Sequence, residues 1–404
     1  MAMLTPASEI EAAGLIRDHA SSGRTLEIVG GGTRGGIGNP VRADAQLSSG
    51  GLTGIVAYNP AEMVMTVKAG TPLAEIEQAL DAAGQMMAFE PIDHRGIMAT
   101  TGEPTIGGVF AVNACGPRRL LVGAARDHLL GLRLINGQGE IVQAGGRVMK
   151  NVTGLDLVKL MAGSHGTLGL LSEVTFKVLP RPRDQLTLVL SGLDDAQASR
   201  AMAAAMALPV EVSAAAHLPV TVHHKILAGR LPDGPATVLR LEGMQASVVI
   251  RLEKLAAAMA RAGAVTRLDA DESAVLWREI RDVAPYGDGT DRPLWRVSVA
   301  PGMGEALVAD LRLEAGIDAF YDWQGGLVWM RMEADPDADL VRRHVRSVGG
   351  GHATLMRAPM EARQRASAFE PLAPAVALLN QRVREKFDPA GVFNPGRMAR
   401  GEAA

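Results

Sequence analysis

The chain has 404 residues, 47% of them hydrophobic and 21% charged, enough for about two domains with an ample core. A net charge of −3 and an aromatic share of 3% offer neither the basic field nor the stacking rings of a nucleic-acid binder. A single cysteine excludes an intrachain disulfide framework, a four-thiolate iron–sulfur cluster and a Cys-rich zinc site within this chain.

The opening Met1-Ala2-Met3-Leu4-Thr5-Pro6 lacks the basic and apolar regions of a signal peptide, and no apolar run is long enough to span a bilayer. The expectation is a soluble cytoplasmic protein. Thr5 reads as the N-cap of a first helix, with Pro6 in its first turn. A strand at Leu26–Val29 then runs into Gly30-Gly31-Gly32-Thr33-Arg34-Gly35-Gly36. This loop matches G-x-G-x-x-G, but that fingerprint needs a helix opening at its third glycine to receive a pyrophosphate. Gly36-Ile37-Gly38-Asn39-Pro40 cannot propagate a helix, so the loop reads as a phosphate-cradling nest rather than a Rossmann turn.

Strands are expected at 55–58 and Val64–Lys68. Thr71-Pro72 repeats the Thr-Pro start, and Leu73, Ile76, Leu80 and Ala83 share one face of a helix that Gly84 stops. A second glycine loop follows at Gly102-Glu103-Pro104-Thr105-Ile106-Gly107-Gly108. Strands at 130–135 and 140–144 flank Asn136-Gly137-Gln138-Gly139, a hairpin signal that rules out a purely parallel sheet. The third loop is Gly163-Ser164-His165-Gly166-Thr167-Leu168-Gly169. Any one of these loops reads equally well as an ordinary turn. Three in one domain point to backbone N–H groups converging on an extended dinucleotide.

After Pro180-Arg181-Pro182 the composition changes. Strands alternating with alanine-rich helices near 194–207 and 247–262 suggest a second domain of two repeating halves. The fold class is α+β, divided as 1–182 (subdomains about 1–50 and 51–182), 183–350, and a C-terminal segment 351–404 returning to the first domain.

Several ordered motifs carry a family resemblance. Gly31 to Gly36, Pro104-Thr105-Ile106-Gly107-Gly108, Asp127-His128-Leu129-Leu130-Gly131-Leu132, and Lys150-Asn151-Val152-Thr153-Gly154 through Gly169-Leu170-Leu171-Ser172-Glu173-Val174 resemble the FAD-linked oxidases of the vanillyl-alcohol oxidase type. The tail from Phe387-Asp388-Pro389 to Asn394-Pro395-Gly396 is similar to that family's C-terminal signature. Asn113-Ala114-Cys115-Gly116-Pro117-Arg118-Arg119, Met161-Ala162-Gly163-Ser164 and Leu179-Pro180-Arg181-Pro182 look more narrowly like the FAD-binding subunits of bacterial glycolate oxidases.

The resemblance implies an FAD lying between the two subdomains. Gly31, Gly32, Thr33, Arg34, Gly35 and Gly36 would cradle its pyrophosphate, with Thr101, Gly102, Thr105, Ile106, Gly107 and Gly108 lining the other side. Gly163, Ser164, Gly166, Thr167, Leu168 and Gly169 would approach the adenosine or ribityl end. Asn113, Ala114, Gly116 and Arg118 would run toward the isoalloxazine, and Asn394 would close over it. Read as plain residues, Asn113 is equally a loop-stabilising hydrogen bonder and Arg118 a surface ion pair, as are Arg126 and Asp127.

Covalent relatives place a histidine in the first loop, where this chain has Thr33-Arg34, and Cys115 reads as a small buried apolar residue, so the FAD is expected to be non-covalent. Relatives that oxidise D-2-hydroxy acids carry a His-bearing glycine loop that is absent here. No catalytic base is identified, and His217 and His224 are not expected to hold a metal. Trp277, Arg278, Arg281, Trp295 and Arg296 are a candidate substrate or partner surface.

The function implied is that of the FAD-binding subunit of a complex that oxidises glycolate, a 2-hydroxy acid, to glyoxylate. Its partners would be a catalytic flavoprotein subunit and an iron–sulfur subunit, with any attachment to the inner membrane made through them. A self-sufficient FAD-dependent alcohol or sugar-lactone oxidoreductase and a non-catalytic FAD-bound scaffold remain the alternatives.

Overall fold

The computed structural model describes residues 1–147 and 155–399. Strands β1 (Ala2–Leu4), β2 (Leu26–Val29) and β3 (Ala45–Ser48) form a parallel sheet in the order β1-β3-β2. Helix α1 (Glu9–Ser21) starts later than the Thr5-Pro6 reading places it. Ser8 is the N-cap, accepting from the Glu11 N–H, while the Glu11 carboxylate accepts from the Ala7 N–H. This Ser-x-x-Glu exchange satisfies two helix-end donors, and the residues before it are drawn into β1.

The tail completes this small subdomain. Leu26 bridges Phe393 in parallel, its N–H donating to the Val392 carbonyl at 2.7 Å, and the Asn394 N–H returns to the Leu26 carbonyl at 2.9 Å.

The second subdomain is an antiparallel five-stranded sheet. It contains β4 (Ile55–Asn59), β5 (Val64–Lys68), β6 (Leu129–Ile135), β7 (Ile141–Gly145) and β8 (Leu170–Lys177), ordered β4-β5-β8-β6-β7. Helix α2 (Leu73–Ala82) buries Leu73, Ile76 and Leu80 as the periodicity predicts. Thr71 does not cap it, because its hydroxyl donates to the Lys68 carbonyl at 2.6 Å and accepts from the Gly54 N–H. The β6–β7 hairpin turns as expected: the Asn136 side-chain oxygen accepts from the N–H groups of Gln138 and Glu140, and Gly139 takes φ +72°. Helix α3 (Ile106–Ala111) lies between α2 and β6 in the chain and is capped by Thr105.

Besides a two-stranded pairing of Gln85–Met86 with Leu179–Pro180, the largest sheet has eight antiparallel strands among the described residues. They are β9 (Asp184–Ser191), β10 (Val212–Leu218), β11 (Ala236–Gly243), β12 (Ala264–Leu268), β13 (Leu294–Ser298), β14 (Ile317–Asp322), β15 (Leu327–Met332) and β16 (His352–Arg357), ordered β12-β9-β11-β10-β14-β15-β13-β16. Helices α4 (Asp195–Met206) and α5 (Gln245–Met259) serve the first four strands; α7 (Gly304–Arg312) and α8 (Ala338–Ser347) serve the last four, with α6 (Ala270–Arg281) between the sets. Each half thus reads βαββαβ, and the helices expected near 194–207 and 247–262 both belong to the first half. The halves join at the β10–β14 seam, where His217 opposes Tyr321. The expected break at 350 falls too early: β16 lies beyond it, because Trp295 to Ser298 need Leu355 to His352 as edge partners.

Period-two alternation divides this sheet into two faces. Leu188, Leu190 and Leu239 pack on α4 and α5, and Trp295, Val297 and Met330 pack on α7 and α8. The opposite face, with Val189, Ala214, Val238, Leu294, Phe320 and Trp329, shares one apolar core with Met65, Val67, Phe110 and Phe176 of the five-stranded subdomain. The eight-stranded sheet is therefore a cap on the first domain. No helix among the described residues is long and apolar enough to cross a membrane.

Candidate functional site

The three glycine loops meet. A Cβ on Gly31 would fall on the Glu103 carbonyl oxygen, one on Gly102 on the Gly31 carbonyl oxygen, and one on Gly30 on the Thr105 hydroxyl. The first and second loops therefore touch backbone to backbone, an approach that no side chain permits. Gly107 adds a further close contact, donating its N–H to the Ala69 carbonyl at 2.8 Å. The third loop is pinned by Asn394, whose amide donates to the His165 carbonyl at 2.8 Å while its side-chain oxygen accepts from the Ile28 N–H at 2.8 Å. One side chain of the tail thus ties β2 to the third loop.

Between the loops lies a groove of about 840 Å³, its open mouth included. Of the residues expected there, Gly31, Gly32, Thr33, Arg34, Gly35, Thr105, Gly107, Gly108, Ser164, Gly166, Gly169 and Asn394 line it. The size suits a large ligand.

Arg34 supplies the groove's charge. Its guanidinium donates to the Thr33 hydroxyl and the Ile92 carbonyl, both at 3.3 Å, and its buried Nε has no partner. Neighbouring Asp93 is committed to a two-pronged pair with Arg95. Burial pulls Arg34 down to about 10, so it stays charged at neutral pH. A cation with a spare donor inside a glycine-walled groove fits a pyrophosphate, and these residues therefore fit the dinucleotide expected from the sequence. His165 also lines the groove; burial, and then the charge of Arg397, hold it down at about 4, so it is neutral.

Other expected residues stand outside the groove. Gly36 faces the Met98 sulfur, Gly102 forms the contact with Gly31, and Thr101 is exposed. Ile106 and Leu168 are core residues, the Thr167 hydroxyl donates to the Ser164 carbonyl, and the Gly163 N–H donates to the Phe110 carbonyl. The motif segment 150–154 lies outside the described residues. Sequence reading missed His165, Arg397, Ile28, Ile37 and Ser49. His165 sits inside the third glycine loop, where flanking glycines were the available signal.

Asn113, Ala114, Gly116 and Arg118 form a loop beneath the cap instead of a groove wall. The Asn113 side chain accepts from the Arg126 N–H at 2.8 Å, the hydrogen-bonding alternative. Ala114 is buried, and Gly116 packs on Glu90. Arg118 does pair with a carboxylate, but in the interior: it meets Glu242 of β11 at 3.1 Å. Beside that pair, Arg240 takes both oxygens of Glu90 at 2.9 and 3.0 Å and lies over the Trp277 ring. Two acids and two bases close this net.

Three members of the expected arginine–tryptophan surface, Trp277, Trp295 and Arg281, are used up in packing and pairing. Trp277 donates to Thr187, Trp295 to the Pro336 carbonyl, and Arg281 pairs with Asp282. His217 and His224 do not share a strand, because β10 ends at Leu218 and a short helix, Val220–His223, follows. His217 is buried against Thr237 and Asp195. Among the described residues no group of His, Cys, Asp and Glu is placed to hold a metal.

Comparison with known proteins agrees with the groove. Residues 1–145 match the FAD binding domain family. Over 374 residues the chain is 35% identical to the glycolate oxidase subunit GlcE of Escherichia coli strain K12, covering 92% of each chain. It is 33% identical over 135 residues to the glycolate oxidase subunit GlcD of Bacillus subtilis strain 168, covering 33% of this chain and 27% of that one. Among solved structures, p-cresol methylhydroxylase with substrate bound aligns at a TM-score of 0.71 and 14% identity, over 98% of this chain and 88% of that chain. At that distance in sequence the likeness speaks for the fold.

Proposed function

The chain belongs to the family of the glycolate oxidase subunit GlcE, flavoproteins of the vanillyl-alcohol oxidase type, and on that premise we propose that it is the FAD-holding subunit of a complex that oxidises glycolate to glyoxylate. The observation that carries this reading is the likeness to GlcE along nearly the whole chain, with a groove whose unpaired Arg34 matches the cofactor's charge. FAD is the cofactor of this oxidoreductase, and when bound it supplies the acceptor for the electron pair that leaves the alcohol carbon.

In this reading Gly31, Gly32, Arg34 and Gly35 hold the pyrophosphate, Thr105, Gly107 and Gly108 line the facing wall, and Gly166 with Asn394 closes the third side. The linkage is non-covalent: Thr33-Arg34 offers no histidine in the first loop, and Cys115 is buried with its sulfur accepting from Arg119 at 3.4 Å. One cysteine cannot ligate an iron–sulfur cluster, so a partner subunit carries it and takes the electrons onward. A second flavoprotein subunit completes the assembly. Any contact with the inner membrane is made by those partners.

The test is to isolate the tagged chain from cells grown on glycolate. The expected material contains FAD that is released by acid precipitation, an iron–sulfur partner, and glycolate-dependent reduction of an artificial acceptor that disappears when this chain is deleted. An assembly that reduces no acceptor with glycolate would contradict the reading.

A further inference from the structure

We propose that Arg296, on the inner face of the cap sheet, anchors the carboxylate of a small 2-hydroxy acid in a site walled by Trp323 and His94. The inference rests on the glycolate reading and adds to it that this chain binds the acid itself.

The alternation of β13 sets the direction. Trp295 and Val297 enter the helix-covered core, whereas Leu294 joins the core shared with the first domain, and Arg296 points to that same side, opposite Trp329 of β15. Arg296 lies deep in the molecule but keeps accessible surface, as a side chain lining a crevice does. Other arginines of the sheet are matched, Arg240 with Glu90 and Arg331 with Asp288 and Asp318, and so is Arg118 of the facing loop, with Glu242. Among the described residues Arg296 has no ion pair or hydrogen bond. Asp322 stands beyond ion-pair distance from it, and Arg119 is a second cation nearby.

What Arg296 does touch is aromatic. Its guanidinium stands 5.0 Å from the centre of the Trp323 ring, and that of Arg119 stands 4.7 Å from the same ring. Trp323 is held by its indole N–H, which donates to the Gly116 carbonyl at 3.1 Å. It therefore fixes this side of the cap against the 113–118 loop.

His94 is a second buried group of this region. It is 4% exposed, its Nδ1 has no partner, and burial, then the charges of Arg34 and Arg296, hold it well below the usual histidine range, so it is a neutral imidazole with a spare ring nitrogen. A planar guanidinium with free donors is matched by a carboxylate in two-pronged geometry, and an imidazole beside it is matched by a hydroxyl. A 2-hydroxy acid presents both groups on adjacent carbons.

The probe is oxalate, an unreactive dicarboxylate of glycolate's size, titrated calorimetrically into the FAD-loaded chain. Wild type and the exposed control R261Q should bind alike. R296Q should lose at least tenfold in affinity at unchanged flavin content, and R296K, which keeps the charge but not the fork, should fall between them. Equal binding by R296Q and wild type, or no binding by wild type, overturns the anchor. Glycolate oxidation by the assembled complex is measured separately. If it persists in a complex carrying R296Q with undiminished oxalate affinity, the anchor falls and the glycolate reading stands. If glycolate is not oxidised while oxalate still depends on Arg296, the anchor stands and the glycolate reading falls.

Discussion

In the groove Arg34 meets backbone, whereas under the cap Arg240 meets the carboxylates of Glu90 and Glu242. The two regions lie in the same molecule and both bury arginine, but they treat its charge differently. The groove surrounds a spare donor with glycine carbonyls and N–H groups and leaves the balancing anion to a ligand. The junction balances each cation from within the chain and so glues cap to domain. An arginine in a closed net is a structural element; one left open is a binding element. By this criterion Arg34 and Arg296 belong together.

The largest effect should come from closing the groove's backbone contact. In G31A the new Cβ meets the Glu103 carbonyl, and the variant should purify without flavin and lose about 3 kcal/mol or more of stability. G14A, on helix α1 away from the groove, with open space at its Cβ and an ordinary φ, should keep its flavin. Flavin-to-protein absorbance ratios separate them; equal ratios would mean that the loops are not in contact.

Breaking the junction should cost stability first and flavin second. E90Q strips Arg240 of its two-pronged partner and should destabilise the chain by about 3–5 kcal/mol in urea unfolding, the usual penalty for orphaning one half of a buried pair. A change under 1 kcal/mol would show that water reaches the net. N394A removes two hydrogen bonds that join the tail, β2 and the third loop, with an expected loss of about 2 kcal/mol and weaker FAD retention.

The smallest effect is a change of slope with pH. Burial pushes the Asp322 carboxyl up to about 7, above its unfolded value. Between those two values the folded chain holds a proton that the unfolded chain has released, so stability falls as pH rises through that window and is flat above it. D322N should remove this slope, matching wild type near pH 4 and exceeding it by about 1–3 kcal/mol near pH 8. Parallel stability curves for the two proteins would contradict that assignment.

The contrast also explains what was legible in the sequence. Gly30, Gly31, Gly102 and Gly107 could be read because a close backbone approach demands glycine, and glycine leaves its mark in one short stretch. The α2 periodicity and the Asn136 hairpin are likewise local. Helix α1 was misplaced because the Ser8–Glu11 exchange outcompeted an equally local Thr-Pro signal. The junction was not legible, since Arg240 and Glu90 are 150 positions apart and either could be a solvated surface charge. Arg118 was directed to the flavin for the same reason: nothing near it in the chain announces Glu242. The recognised tail motif located Asn394 without indicating that its amide would bind two separate loops.

The measurement that bears most directly on the account adds glycolate anaerobically to the isolated, FAD-loaded chain and follows the flavin absorbance. Bleaching in wild type, with a response greatly slowed in R296Q, is expected if groove and acid site meet on this chain. An oxidised spectrum that glycolate leaves unchanged would contradict it and assign the acid to a partner subunit.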